Sequence, residues 1–170
     1  PKAEEVRKLT EAAGLEIAAY GSYYRTGADN PDIESFSAVL ETAAELGAPL
    51  IRVWAGDQGS EKIDEKGRQQ VIEDSRRIAS LAEARDIKIA YEFHGGTLTD
   101  NKRSAEKLLE EVNHDNIYTY WQPPHRLDVE ARLNSLQTII HKLENVHAFY
   151  WEDHQRYALQ KEKEDWIKYL

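Results

Sequence analysis

The sequence contains no cysteine and no methionine. Without cysteine the chain has no disulfide framework, no thiolate nucleophile and no cysteine-based metal site. The same absence fits a reducing compartment, so we expect a cytoplasmic protein. No initiator methionine is present, and the chain begins and ends in helix-like sequence. We therefore expect these residues to be a segment of a longer polypeptide.

Positive charge and long apolar runs are also scarce. The chain has 22 Lys and Arg against 31 Asp and Glu, a net charge of −9. Proteins that bind phosphate backbones usually present a basic face, so the charge disfavours a nucleic-acid partner. No apolar run approaches the roughly 20 residues that span a bilayer, and no signal peptide opens the chain. We expect a soluble globular domain without a membrane partner.

Several motifs that would indicate a particular reaction or cofactor are absent from the sequence. The chain has no G-x-G-x-x-G or Walker A loop for nucleotides, and no H-E-x-x-H zinc signature. It also lacks the G-x-S-x-G nucleophile turn. A function must therefore be sought in residues that the fold brings together.

What the sequence does contain is a regular alternation of strand-like and helix-like segments. The predicted strands cover residues 15–19, 49–55, 87–93, 116–121 and 146–150. The predicted helices cover residues 3–13, 30–46, 65–84, the segment from a cap at Thr99 or Asp100 to 112, 127–143, and a last helix after a loop at 151–160. Such alternation predicts βαβ crossovers and a parallel sheet. No linker divides the chain, so we expect one domain over residues 1–170.

The positions of the polar residues favour a barrel over an open sheet. An open doubly wound sheet binds its ligand mainly at one switch point, whereas a barrel collects residues from many strand ends. Here every predicted strand ends in side chains suited to a site. They are Tyr23, Trp54, Glu92 with His94, Gln122 with His125, and His147 with Trp151. The prediction is an α/β fold, a (β/α)8 TIM barrel of which about five strand–helix units are present.

Glu92 is the leading catalytic candidate, because it ends a strand that is otherwise apolar. Burying a carboxylate in such a place costs free energy unless the carboxylate is paired with a cation, bound to a metal or hydrated. A salt bridge to Arg52 on the neighbouring strand is the structural alternative. His94 lies two residues further on, and in an extended chain its side chain points to the same side as that of Glu92.

Two further strand ends offer metal or substrate ligands. His147 follows the fifth apolar run, and an imidazole beside a carboxylate suits Mn, Co, Zn or Fe better than Mg. Gln122 and His125 flank two prolines, which restrict the loop. Three tryptophans at strand ends suit either the C–H face of a sugar or packing under loops, and both interpretations stay open. These are Trp54, Trp121 and Trp151.

Three segments resemble the sugar phosphate isomerase/epimerase family, the xylose isomerase-like TIM barrels. They are YEFHGGTLTDN at 91–101, YWQPPHRLDVEARLNSL at 120–136 and NVHAFYWE at 145–152. The resemblance covers essentially the whole chain. It implies that the first strand and the last two strands of the full barrel lie outside this sequence.

The resemblance also implies a metal site. In the family a divalent metal is held by Glu, Asp, His and Glu from four strands. Glu92 matches the first Glu and His147 the histidine, while Gln122 stands at the position of the Asp. The fourth ligand has no counterpart in the chain. His125 matches a family histidine that contacts substrate, and the cofactor implied is Mn, Co, Zn or Mg.

The function implied is a metal-dependent isomerase or epimerase of a sugar or related hydroxy-carbonyl compound. Its metal stabilises an enediolate while two carboxylates, Glu92 being one, move a proton. The alternatives are a sugar dehydratase or another lyase or hydrolase on the same scaffold, and a degenerate carbohydrate-binding member. The expected partner is a small sugar, with a homo-oligomer also open.

Overall fold

Five parallel strands with intervening helices make up the protein, as seen in a computed structural model that describes residues 2–28, 35–124, 127–152 and 155–170. The helices are α1 Lys2–Ala12, α2 Phe36–Leu46, α3 Glu65–Glu83, α4 Lys102–Val112, α5 Val129–Ile139 and α6 Lys163–Tyr169. The strands are β1 Tyr20–Arg25, β2 Leu50–Trp54, β3 Lys88–Glu92, β4 Ile117–Trp121, β5 Leu143–Val146, β6 Tyr150–Glu152 and β7 Gln155–Tyr157. Short 3-10 turns cover Ile140–Lys142 and Leu159–Glu162.

The main sheet has the strand order β1-β2-β3-β4-β5, and every neighbouring pair is parallel. Sequential order without a reversal is the arrangement of a (β/α) barrel, whereas a doubly wound sheet changes direction at its switch point. The predicted α/β class and the incomplete barrel are therefore confirmed. None of the described helices is long and apolar enough to cross a membrane.

The two faces of the sheet have different roles. Side chains such as Ile51, Val53 and Ile89 point towards the helices and join the largest apolar cluster. The alternate positions form an inner face, defined here by Leu50, Ala90 and Tyr120 and the residues above and below them. Because successive strand residues point to opposite faces, the core and the inner face are built from the same strands.

Side-chain caps begin four of the helices. Ser35, Asp64, Asn101 and Asp128 each accept a hydrogen bond from the backbone N–H three residues on. The predicted cap of α4 at Thr99 or Asp100 is wrong. Thr99 instead donates its hydroxyl hydrogen to the carbonyl oxygen of Glu92 at 2.6 Å, which ties the loop to the end of β3.

Two strands lie at other positions than the apolar runs predicted. The first strand covers residues 20–25 and not 15–19. Residues of the 20–25 segment pair with β2, whereas Leu15 in the predicted strand is 63% exposed. The fifth strand is residues 143–146 and not 146–150, since Leu143 pairs with Thr119 of β4. The predicted loop 151–160 contains most of an antiparallel β6–β7 hairpin. The predicted helix start at Asn30–Pro31 lies outside the described residues.

Gly27 sets the approach of the β1 end to α3, so we expect Gly27→Ala to destabilise the fold strongly. Its φ is +71°, and a Cβ there would lie 2.6 Å from the backbone nitrogen of Val71. Gly14 has the same φ class, at +70°, with nothing within 4 Å of its Cβ position. Gly14→Ala is therefore the matched control, which we expect to cost about 1 kcal/mol from backbone strain alone.

Urea denaturation of both variants measures the difference. Gly27→Ala should lower the free energy of unfolding well beyond the control, because backbone atoms cannot move aside as a flexible side chain can. Equal losses for the two variants would show that the close approach to α3 is not a constraint.

Candidate active site at the strand ends

The inner-face side chains meet at the carboxyl ends of the strands, where barrel enzymes place their chemistry. Trp54 ends β2 and Glu92 ends β3, while Gln122 and His147 directly follow β4 and β5. Arg52 lies on the inner face of β2, two positions before Trp54. We call Glu92, Gln122 and His147 the strand-end triplet.

Glu92 is the most buried charged group of this region, with its side chain 12% exposed. Its Oε2 accepts a hydrogen bond from Trp54 Nε1 and forms an ion pair with Arg52 Nη1, both at 2.8 Å. The salt bridge to Arg52 that the sequence offered as an alternative is therefore present. It does not exclude a catalytic role, because Oε1 remains directed towards His147.

His147 completes the triplet. Its Nδ1 lies 3.0 Å from Gln122 Oε1 and 3.7 Å from Glu92 Oε1. Both neighbours are acceptor oxygens, so Nδ1 carries the proton in this arrangement. The backbone N–H of His147 donates to the carbonyl oxygen of Trp121 at 2.9 Å, which fixes the residue just beyond the end of β4. The fold thus brings together the three predicted metal ligands.

Burial lowers the pKa of His147 below its usual value, and this effect outweighs the charges around it. The Glu92 carboxylate raises the pKa, and the Arg52 guanidinium lowers it. The imidazole is therefore neutral at neutral pH, which is the protonation state that a metal ligand requires.

The triplet fits a divalent cation in donor type and spacing. Adjacent ligands of a cation bound at about 2.1 Å lie about 3 Å apart. The two distances from His147 Nδ1, 3.0 Å and 3.7 Å, are close to that separation. The charge is low, however, since the triplet has one carboxylate, which Arg52 already pairs. Within the described ranges no group of three or more His, Cys, Asp or Glu residues is placed to hold a metal.

An aromatic wall stands beside the triplet. The ring of His94 stacks on Trp54 with centroids 4.8 Å apart and an interplanar angle of 28°. Tyr23 meets the same indole edge-on at 5.7 Å. The structure thus places Trp54 and His94 next to Glu92, where both were predicted to bind substrate. That role is not tested by their positions and stays a prediction.

The prediction of a substrate-binding role for Trp121 is wrong. Its side chain is fully buried on the helix side of β4, packs against Trp166 and Tyr169, and donates Nε1–H to Ser135 Oγ at 3.0 Å. The cause is strand alternation, which turns Tyr120 towards the inner face and Trp121 away from it. Alternation applied strictly to the sequence gives this answer.

One other predicted substrate contact, Trp151, is not brought to the triplet. Trp151 lies on the β6–β7 hairpin opposite Arg156 and is 40% exposed. Its ring makes no described contact with Glu92, Gln122 or His147. His125 lies outside the described residues, so its predicted role has no structural description.

Sequence reasoning missed a clamp on the loop that carries Gln122. Arg132 of α5 donates Nε–H to the carbonyl oxygen of Pro124 at 3.2 Å and pairs through Nη1 with Glu162 at 2.8 Å. Both side chains of the pair are largely buried. The pair joins α5, and through Pro124 the segment after β4, to the 3-10 turn Leu159–Glu162 that follows β7. A long-range pair of this kind leaves no local sequence signal.

Comparison with known proteins identifies the family. The family model described as "xylose isomerase-like TIM barrel" matches residues 1–163. The chain therefore belongs to the xylose isomerase-like TIM barrels, as the resemblance of its motifs implied.

Individual relatives differ in reaction. The 3-dehydroshikimate dehydratase of Bacillus anthracis is 36% identical over 67 residues, which is 39% of this chain and 24% of that protein. A solved structure of a probable 3-DHS dehydratase from Bacillus anthracis is 22% identical, with a TM-score of 0.74 over 90% of this chain and 57% of the other. The D-allulose 3-epimerase of Methylomonas sp. is 15% identical, with a TM-score of 0.72 over 92% of this chain and 62% of the other.

These likenesses have a limited meaning. The two solved structures share less than a quarter of their residues with this chain, so they establish the fold. The chain spans about a quarter of the length of the curated dehydratase and about three fifths of the two solved structures.

Charge changes around His147 should move its pKa in opposite directions. Arg52→Gln removes a cation and should raise the pKa, whereas Glu92→Gln removes an anion and should lower it further. NMR titration of the His147 ring protons in metal-free buffer measures both shifts. Arg85→Gln, an exposed change before β3, is the control and should leave the pKa unchanged. Shifts of the same sign in both site variants would contradict the arrangement described.

Proposed function

We propose that the protein removes a proton from the carbon next to a carbonyl in a small, sugar-derived hydroxy-carbonyl compound. The supporting observation is the convergence of Glu92, Gln122 and His147 at the strand ends of a barrel whose family includes such enzymes. Epimerases and isomerases return the proton to carbon, while a dehydratase expels a neighbouring hydroxyl. Both reactions begin with the same proton removal.

Glu92 is the group that we propose to move the proton. Its carboxylate is held in one orientation, because Trp54 donates to Oε2 and Arg52 forms an ion pair with the same oxygen. The second oxygen, Oε1, faces the side of His147 and has no hydrogen bond of similar length in the described structure. A positioned carboxylate of this kind contributes about 10²–10⁴-fold as a general base.

A divalent metal, Mn, Co, Zn or Mg, is the cofactor that we propose. The cation would be held by the Glu92 carboxylate, by Gln122 Oε1 and by His147 Nδ1, whose ring proton would then lie on Nε2. The Glu92 oxygen that does not bind the cation would take the substrate proton. When bound, such a cation polarises the substrate carbonyl and makes the neighbouring C–H more acidic. Gln122 lends an oxygen without charge, so we expect weaker metal binding than in members with a carboxylate at this position.

Water elimination is the second candidate outcome, and one observation favours it over epimerisation. The curated relative that is 36% identical over 67 residues is a dehydratase.

Other features of the proposal come from composition. We infer a small-molecule sugar-like substrate and neither a nucleic-acid nor a membrane partner, in keeping with the net charge of −9. Cytoplasmic location and a homo-oligomeric state stay predictions.

Hydrogen exchange tests the proton removal directly. The protein is incubated in D₂O with Mn²⁺, Co²⁺, Zn²⁺ or Mg²⁺ and with D-fructose, D-allulose or 3-dehydroshikimate, and the carbon-bound protons are followed by NMR. We expect deuterium to enter next to the carbonyl, and Glu92→Gln to slow this by about 10²-fold or more. A deuterated epimer identifies an epimerase, and a product lighter by one water identifies a dehydratase.

The control is Glu144→Gln, which removes an inner-face carboxylate that pairs with Lys88 away from the triplet. It should leave the exchange rate unchanged. Exchange that survives in Glu92→Gln would remove Glu92 from the reaction. If none of the substrates showed exchange, we would instead infer a non-catalytic member of the family that binds carbohydrate.

Metal analysis tests the cofactor separately. After dialysis against each cation, we expect close to one metal per chain, lost in Glu92→Gln and in His147→Ala because each variant removes a ligand. His141→Ala, an exposed change outside the triplet, is the matched control. A metal content that is unchanged in both site variants would place the cation elsewhere in the protein.

A further inference from the structure

We propose that Arg25 binds an anionic group of the substrate, a carboxylate or a phosphate, so that the substrate is an anionic hydroxy-carbonyl compound. This inference rests on the proposed function, because it concerns the substrate of the same site. It goes beyond that function by naming the charge of the substrate and the residue that recognises it.

The β1–β2 register shifts between Gly21 and Arg25, so contacts, and not alternation alone, place Arg25 on the inner face. Tyr24 points to the helix side, where its ring packs against Phe36 and its hydroxyl donates to Asp74. Tyr23 points inwards against Trp54. Arg25, the last residue of β1, therefore reaches the strand-end region from the inner side of the sheet, in register with Trp54.

The guanidinium of Arg25 is held by contacts that leave most of its donors open. Its Cζ lies 4.0 Å from the centroid of the Trp54 ring, and Nη1 donates to the carbonyl oxygen of Gly56 at 3.3 Å. A guanidinium has five N–H donors. Stacking on an aromatic ring orients its plane and keeps its edge available for two parallel hydrogen bonds to one anion.

Arg25 lacks the carboxylate partner that several other arginines have. Arg52, Arg68, Arg77 and Arg132 each lie 2.6 to 2.8 Å from a carboxylate oxygen. Over the part of the chain that the structure describes, Arg25 makes no such pair. A cation at a binding region without its own anion is suited to an anionic ligand, which supplies the missing charge.

The position of Arg25 relative to Glu92 suits one bound molecule. The Arg25 guanidinium lies over the ring of Trp54, and the indole N–H of the same Trp54 donates to Glu92 Oε2 at 2.8 Å. An anion at Arg25 would therefore lie one indole away from the carboxylate that we propose to move the proton. The net charge of −9 repels anions in general, so a local cation is needed to select them.

Equilibrium binding of matched probes tests this inference without relying on turnover. Shikimate is compared with its neutral methyl ester, and fructose 6-phosphate with fructose, by isothermal titration calorimetry at one fixed ionic strength. We expect the charged member of one pair to bind at least about tenfold more tightly than its neutral counterpart. Preference in the first pair identifies a carboxylate, and preference in the second a phosphate.

Variants assign the preference to Arg25. Arg25→Gln should abolish it, and Arg25→Lys should retain part of it, because a lysine keeps the charge but not the planar fork. Arg85→Gln removes the same charge from an exposed position before β3 and should leave the preference intact. Thermal melts of the three variants exclude loss of folding as the cause, and Arg25→Lys still decides the matter if Arg25→Gln does not fold.

The failure of this inference is distinguishable from failure of the proposed function. Charged probes that bind no more tightly than their neutral counterparts, or a preference that survives in Arg25→Gln, would overturn the anion site. Glu92→Gln should keep the anion preference while losing hydrogen exchange. If the parent protein prefers the charged probes but shows no hydrogen exchange, Arg25 is still an anion-binding residue. The proposed reaction is then wrong.

Discussion

The ion pair between Arg52 and Glu92 is the interaction on which the strand-end region depends. The two side chains are 15% and 12% exposed, and a carboxylate that is buried to this extent is costly without a partner. Arg52 and Trp54 together fix Glu92 through one oxygen. Trp54 in turn carries His94 and Arg25 against its ring. Pairing therefore makes a buried carboxylate tolerable and also arranges its surroundings.

One face of the strands packs into the core and stabilises the fold, while the opposite face carries the strand-end region. The helix-facing residues are apolar and largely inaccessible, and they include Trp121, the largest fully buried side chain. The inner face is more polar, with the Lys88–Glu144 pair near the amino ends of β3 and β5 and the strand-end triplet at the carboxyl ends. This separation lets residues such as Arg25, Glu92 and Gln122 differ between family members without a change in the core, which is why one fold hosts several reactions.

Compared with the Asp that the family resemblance implies at this position, Gln122 changes the charge of the site more than its geometry. Its oxygen lies where a ligand is needed, 3.0 Å from His147 Nδ1. It brings no negative charge, so Glu92 alone opposes the charge of Arg52 and of any bound cation. Arg132, which pairs with Glu162, donates to the carbonyl oxygen of Pro124, two residues after Gln122. For the cation that we propose, the site therefore offers suitable donor atoms but little negative charge.

The sequence by itself determined the alternation of elements, the parallel sheet and the identity of the strand-end residues. Apolar periodicity and strand order follow from local side-chain chemistry, which is why β2, β3, β4 and α3 were predicted nearly to the residue. The motifs around Glu92, Gln122 and His147 were sufficient to identify the family. The segments 15–19 and 146–150 were misplaced because a short apolar run does not show which residues pair with a neighbouring strand.

The tertiary structure decided which of the predicted residues meet. Only the register between strands shows that Glu92 pairs with Arg52 and that Arg25 lies over Trp54. These contacts join residues that are distant in the chain, so no local pattern encodes them. Their energies come from burial and from charge pairing in space, which exist only once the sheet has formed.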